Sequence, residues 1–273
     1  MKMIKHSTLR AFSAKLSMFS KLPILTTLPK FAMLPAMALL LSSAAYSASS
    51  ADLVAASLAH GDRPTEDAAD DARRMPLEVL AFAGIAEGMA IFEMEAGGGY
   101  YTEILSRAVG PDGSVIMQNP PSFDSFVGDA PALRAERLDN VRLSKTNFDN
   151  LDAADNSIDM VTWILGPHEL WFRPGGQSLG DVRGSFAEIV RILKPGGVFL
   201  AIDHHAAPSS TTEVGQTLHR IREDIITDLA TEAGLSVARS SNLHINEEDP
   251  LTNGVFDPSI QGRTSKFVVL YRK

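Results

Sequence analysis

Two short stretches carry side chains that could act on a small molecule. His168 and Glu169 follow the apolar run Met160-Val161-Thr162-Trp163-Ile164, and Asp203-His204-His205 follow Val198-Phe199-Leu200-Ala201-Ile202. An imidazole with its ordinary pKa near neutrality can serve as a general base, and a carboxylate can take the same role or hold the ring in place. Each pair stands just past a run that reads as buried strand, where residues of a parallel sheet face a ligand crevice. His168 and Asp203 are therefore the candidate catalytic residues, against the plainer reading of a loop histidine that only makes a structural hydrogen bond. Histidines with a carboxylate could also bind zinc or iron(II). However, His204 and His205 point in opposite directions along a strand. No H-x-H or H-x-x-x-H spacing occurs, so no metal site is expected.

A third stretch suits holding a ligand. Met89 to Met94 is a short apolar run interrupted by Glu93, and Tyr101, Ile104, Leu105 and Ala108 fall at the i, i+3, i+4, i+7 spacing of a helix packed on a sheet. Between them lie Gly97, Gly98 and Gly99, which let backbone approach a ligand closely and aim free helix amides at it. A dinucleotide fingerprint requires glycine at position 102, where Thr102 stands. A P-loop requires Gly-Lys-Ser/Thr, which does not follow. Both phosphate-binding readings are weak.

The positioning elements follow from hydrophobic period and turn chemistry. Pro76 opens a short helix ended by Gly84, and Gly110-Pro111-Asp112-Gly113 stops the one after the glycine turn. Strands are expected at Ser114 to Gln118, Val141 to Thr146 and the two runs above. Helices are expected over 131–139, along the stripe Phe186, Ile189, Val190 and Leu193 as far as Lys194-Pro195-Gly196-Gly197, and along Leu218, Ile221, Ile225 and Leu229 as far as Gly234. Two closing strands, Leu235 to Leu243 and Lys266 to Tyr271, flank a long loop suited to the substrate side.

Glu93 near a strand end, the G-x-G turn and the helix after it resemble motif I of the class I S-adenosylmethionine-dependent methyltransferases. The helix, Leu193-Lys194-Pro195-Gly196-Gly197 and the following strand resemble a second hallmark of that family. Residues 74–84, leading into Gly-Gly-Gly-Tyr-Tyr-Thr, resemble a subgroup of predicted methyltransferases of which many carry export signals. The resemblance implies an α/β, Rossmann-like class I methyltransferase fold: a mostly parallel sheet with a C-terminal antiparallel strand and helices on both faces. It implies S-adenosylmethionine as cofactor, with Glu93, Gly97, Gly98 and Gly99 at its amino-acid part. Gln118 stands where the family's ribose-binding acid would be, and Asn147 and Phe148 lie against the adenine. The implied reaction is methyl transfer to a small-molecule acceptor, with His168 or Asp203 taking a proton. Two other readings compete. One is a catalytically inactive binding protein, because Glu95 replaces the family's first glycine and the ribose acid is missing. The other is a metal-dependent hydrolase using His168, Asp203 and His204.

Charge and composition set the remaining limits. Of 273 residues, 45% are hydrophobic and 21% charged, the balance of a globular chain. The net charge is −8, yet residues 1–47 hold six bases and no acid, so the rest has 19 bases against 33 acids, a net of −14. Such a body excludes nucleic acid as its main partner. Residues 1–47 read as a signal peptide: basic residues, an apolar run over 31–41 interrupted by Pro35, then an A-x-S-like site at Ala45-Tyr46-Ser47. The expectation is an exported, periplasmic protein with no stable membrane span after cleavage, an uncleaved anchor being the alternative. Residues 48–74 are expected as an N-terminal extension and 75–273 as the methyltransferase-like domain. There is no cysteine, and the sequence does not define an oligomeric state.

Overall fold

Short apolar runs build the sheet, and the amphipathic stretches between them cover it. The computed structural model describes residues 48–273, so the signal peptide expected over 1–47 lies outside the described residues. In chain order come α1 (Ser50–Leu58), α2 (Asp71–Arg74), α3 (Pro76–Ala83), β1 (Ala90–Met94), α4 (Tyr100–Val109) and β2 (Ser114–Gln118). Then follow α5 (Asp124–Val127), α6 (Ala130–Glu136), β3 (Val141–Ser144), β4 (Ile158–Ile164), α7 (Val182–Ile192) and β5 (Leu193–His204). Finally come α8 (Glu213–Leu218), α9 (Glu223–Glu232), β6 (Ser236–Ser241) and β7 (Lys266–Arg272).

The seven strands lie in the order β3-β2-β1-β4-β5-β7-β6. All pairings are parallel except those of β7, which runs antiparallel to β5 and β6. Consecutive strand residues point to opposite faces, so Ile91 enters the core layer under α1, α3 and α4 while Phe92 enters the layer with α7 and α9. The order reverses between β1 and β4, and an open α/β sheet binds ligands at that switch, outside the carboxyl ends of its strands.

Two local expectations need correction. Lys194-Pro195-Gly196-Gly197 does not precede the strand: β5 already begins at Leu193, and the four residues form an irregularity against β4, with Gly196 at φ 82°. The stripe Leu218, Ile221, Ile225 and Leu229 does not make one helix. α8 stops at Leu218, His219 takes a left-handed conformation at φ 53°, and Ile221 instead bridges to His205. The same break buries Arg220, whose guanidinium forms a bidentate pair with Asp249 at 2.9 and 3.0 Å. Residues 48–74 pack against the body. Val54 is fully buried, Arg63 pairs with Asp71, and Tyr100 Oη donates to Asp71 at 2.6 Å. No helix of the described residues is long and apolar enough to cross a membrane.

Candidate active site

The switch point is built from two residues in unusual conformations. Glu95 follows β1 at φ 52° and Leu165 follows β4 at φ 64°. Such backbone persists in non-glycine residues only when its surroundings fix it. The Glu95 N–H donates to Gln118 Oε1 at 2.9 Å, and Trp163 Nε1 donates to the Glu95 carboxylate at 3.0 Å. The Leu165 N–H donates to Ile202 O at 2.7 Å. The next residue must be glycine: a Cβ at Gly166 would fall 2.1 Å from Trp163 Nε1 and 2.2 Å from Glu95 Oε2.

On one side of this pair lies a cavity of about 480 Å³, bordered by Glu93, Glu95, Gly97, Gly98, Arg74 and Arg134. Glu93 is buried at its floor and accepts from Thr102 Oγ1 at 2.5 Å. Burial pushes its carboxyl up to about 8, the Thr102 hydrogen bond working the other way. The glycine turn differs from expectation. Its amides are not free: those of Glu95, Ala96, Gly97 and Gly99 donate to Gln118 Oε1, Gln118 O, Asn119 Oδ1 and Ala96 O. Gly98 alone of these turn residues has its N–H unpartnered. The turn contributes close approach and shape rather than a row of donors. Gly99 is fixed by space as well as by φ 88°, since a Cβ there would lie 2.6 Å from Arg134 Cγ.

Across Glu95 and Leu165 lies a second cavity, of about 400 Å³, bordered by His168, Glu169, His219 and the aromatic rings of Phe123, Phe172 and Phe256. Asp203 is fully buried beneath it and clasps His168 twice, accepting from the backbone N–H at 2.6 Å and from Nδ1 at 2.9 Å. Burial opposes charge on His168, but Asp203 and Glu169 outweigh it and lift the imidazole to about 10. This departs from the view of His168 as a base poised near neutrality, since the two carboxylates favour a proton on the ring when no other cation stands beside it. Burial likewise works against the Glu169 charge, yet hydrogen bonds from His168 and His219 hold that carboxyl below its usual value. Its Oε2 is buried without any hydrogen-bond partner. Glu95, by contrast, is lifted well above the carboxylate range by burial and by Glu169. The hydrogen bond from Trp163 Nε1 fixes its side chain.

A third, smaller chamber of about 150 Å³ opens beside Leu165 and is bordered by Arg73, Arg74, His204, His244 and Lys266 with no acid among its lining residues. Lys266 is buried, its Nζ donating to Thr264 O at 2.8 Å, and burial followed by the Arg73 charge draws its pKa down to about 8. Burial and the His168 charge hold His204 well below its usual range.

The structure therefore brings Glu93, Gly97 and Gly98 together around one cavity and His168 to the edge of its neighbour, with Asp203 behind. It does not bring Gln118, Asn147 or Phe148 to either. Gln118 is fully buried, clamping the Glu95 amide and Thr146 O, and Phe148 is a core ring 4.6 Å from Trp163. His219 was missed because its position inside an apolar stripe read as helix. Its only sequence signal was a histidine four residues ahead of an acidic, helix-starting Glu223-Asp224.

Comparison with known proteins agrees with this geometry. A family model described as a methyltransferase domain matches residues 93–201. A ubiquinone/menaquinone biosynthesis C-methyltransferase UbiE of Hahella chejuensis is 27% identical over 121 residues, covering 44% of this chain and 45% of that protein. The Idiomarina loihiensis counterpart is 24% identical over 160 residues, covering 59% of this chain and 58% of its own. The chain thus spans about half the length of these curated relatives. Among solved structures, an S-adenosylmethionine-dependent methyltransferase from Aquifex aeolicus superposes with TM-score 0.54 at 19% identity, covering 74% of this chain and 92% of that one. The fold is that of the S-adenosylmethionine-dependent methyltransferases. The same architecture is seen in an arsenic(III) S-adenosylmethionine methyltransferase from Chlamydomonas reinhardtii, with TM-score 0.53 and 20% identity over 81% of this chain and 72% of that one.

Proposed function

We propose that this protein uses S-adenosylmethionine to methylate a small acceptor, with cofactor in the 480 Å³ cavity and acceptor in the 400 Å³ cavity. One observation carries the reading: the two cavities share Glu95 and Leu165 as a common wall, at the point where the strand order reverses. The residues fit the cofactor. Glu66 and the Glu93 carboxyl border the cavity for its sulfonium and ammonium groups, and Arg74 and Arg134 border it for its carboxylate. When bound, the cofactor supplies an electrophilic methyl group. The protein's part is alignment and exclusion of water. Glu169 Oε2, buried and unpartnered beside the acceptor cavity, is placed to take an acceptor proton, while Asp203 fixes His168 next to it. An acceptor with an anionic group would find counter-charge in the Arg73, Arg74 and Lys266 chamber. The matched methyltransferase-domain model and relatives support catalysis over the inactive alternative. Export to the periplasm stays part of this reading, resting on residues 1–47. Isothermal titration of the purified chain with S-adenosylmethionine and S-adenosylhomocysteine tests it. One site for each is expected, and absence of saturable binding would overturn the reading.

A further inference from the structure

His168, Glu169 and His219 form a cluster that the proposed methyl transfer does not require in this form. His168 Nε2 lies 3.1 Å from His219 Nδ1 and 3.2 Å from Glu169 Oε1, and His219 Nδ1 lies 3.5 Å from Glu169 Oε1. The three atoms make a nearly equilateral triangle. A tetrahedral zinc ion with bonds of about 2.0–2.1 Å has its ligand atoms about 3.3–3.4 Å apart. The triangle is one face of that tetrahedron.

Further features of the cluster point the same way. Asp203 accepts from His168 Nδ1, the carboxylate–histidine pairing that orients a metal-bound imidazole and leaves Nε2 as the ligating atom. His219 is held in a left-handed conformation outside helix α8, so backbone strain is spent on placing its ring. Hydrogen bonds alone explain the triangle less well, since two imidazole nitrogens and one oxygen cannot all be matched with donors and acceptors around it.

We propose that His168 Nε2, Glu169 Oε1 and His219 Nδ1 bind a divalent transition-metal ion of the zinc class at the edge of the 400 Å³ cavity. Nitrogen and carboxylate ligands without sulfur suit zinc and iron(II) among others. Three protein ligands leave a coordination position for a small molecule, as in catalytic rather than structural zinc sites. Resting on the methyltransferase reading, that position would take an oxygen-bearing acceptor and lower the pKa of its hydroxyl. The metal site itself does not depend on that reading.

The test uses the full chain, stripped by a chelator and titrated with cobalt(II), whose visible spectrum reports coordination. One equivalent should bind with the intense bands of a four-coordinate site, and zinc should displace it. His219→Ala and Glu169→Gln should each weaken binding beyond 100-fold, and Asp203→Asn by about 10–100-fold as expected for an outer-shell partner. His204→Ala should bind as the unaltered chain does. Circular dichroism checks that each variant is folded, and the unaltered chain alone suffices to decide if one is not. Failure to bind one equivalent of cobalt or zinc would overturn the proposal, as would full affinity in folded His219→Ala. S-adenosylmethionine binding, measured on the same metal-free sample, separates this outcome from failure of the methyltransferase reading.

Discussion

Glu93 offers the sharpest energetic consequence of the cavity floor. Its carboxyl has an ordinary value of 4.5 and is raised by burial to about 8 in the fold. A group raised in the folded state contributes stability fully below its unfolded pKa and loses it as pH rises through the folded one. With ~1.4 kcal/mol per pKa decade, the roughly 3.5 decades amount to about 5 kcal/mol once Glu93 is ionised in the fold. Between pH 6 and pH 9 the loss from this group is about 3 kcal/mol. Glu93→Gln keeps an acceptor for the Thr102 hydroxyl, which donates at 2.5 Å, and removes the titration. Urea unfolding of both chains at the two pH values measures the difference. The variant should gain about 3 kcal/mol on the unaltered chain in going from pH 6 to pH 9. Parallel pH profiles, within about 0.5 kcal/mol, would refute the argument that this carboxyl sits neutral on the cavity floor.

Other outcomes follow from the same geometry. If a cationic cofactor binds against the Glu93 carboxylate, titration calorimetry should show affinity at pH 7 about tenfold below that above pH 8, and Glu93→Gln should flatten this dependence. Gly166→Ala drives a methyl into Trp163 and Glu95 and should cost about 3 kcal/mol in denaturant unfolding, the upper part of the range for overpacking. Gln118→Glu restores an acid at the end of β2 but sets a carboxylate against Thr146 O, to which Gln118 Nε2 now donates. It should lower stability by about 1–3 kcal/mol and leave S-adenosylmethionine affinity no tighter by calorimetry.

The strands were readable because each is a short apolar run punctuated by glycine, proline or asparagine. β2 was marked by Gly113 before Ser114 and by Asn119-Pro120 after it, and it ends at Gln118 as expected. What the sequence hid is set by long-range contacts. A period of 3.6 survives a break in the chain, so Leu218 and Ile221 read as one helix although Arg220 between them is pulled into a pair with Asp249, 29 residues away. That unseen break places His219 against Glu169. Gln118 stood where a cofactor ligand was expected. With Asn119 it instead clamps the glycine turn and Glu95, through contacts that span 23 and 22 residues. Glu95 looked like an obstruction because its charge was counted without its surroundings. Burial raises its pKa and so disfavours the charge, and Trp163 gives its carboxyl a partner.

The proposed function requires two cavities meeting at Glu95 and Leu165, one for cofactor and one for acceptor. A crystal structure of the chain with S-adenosylhomocysteine tests it most directly. The adenosyl group should occupy the cavity beside Gly97 and Gly98, with the sulfur against the Glu95–Leu165 wall facing His168 and Glu169. Density for the ligand elsewhere, or an empty cavity at saturating concentration, would contradict it.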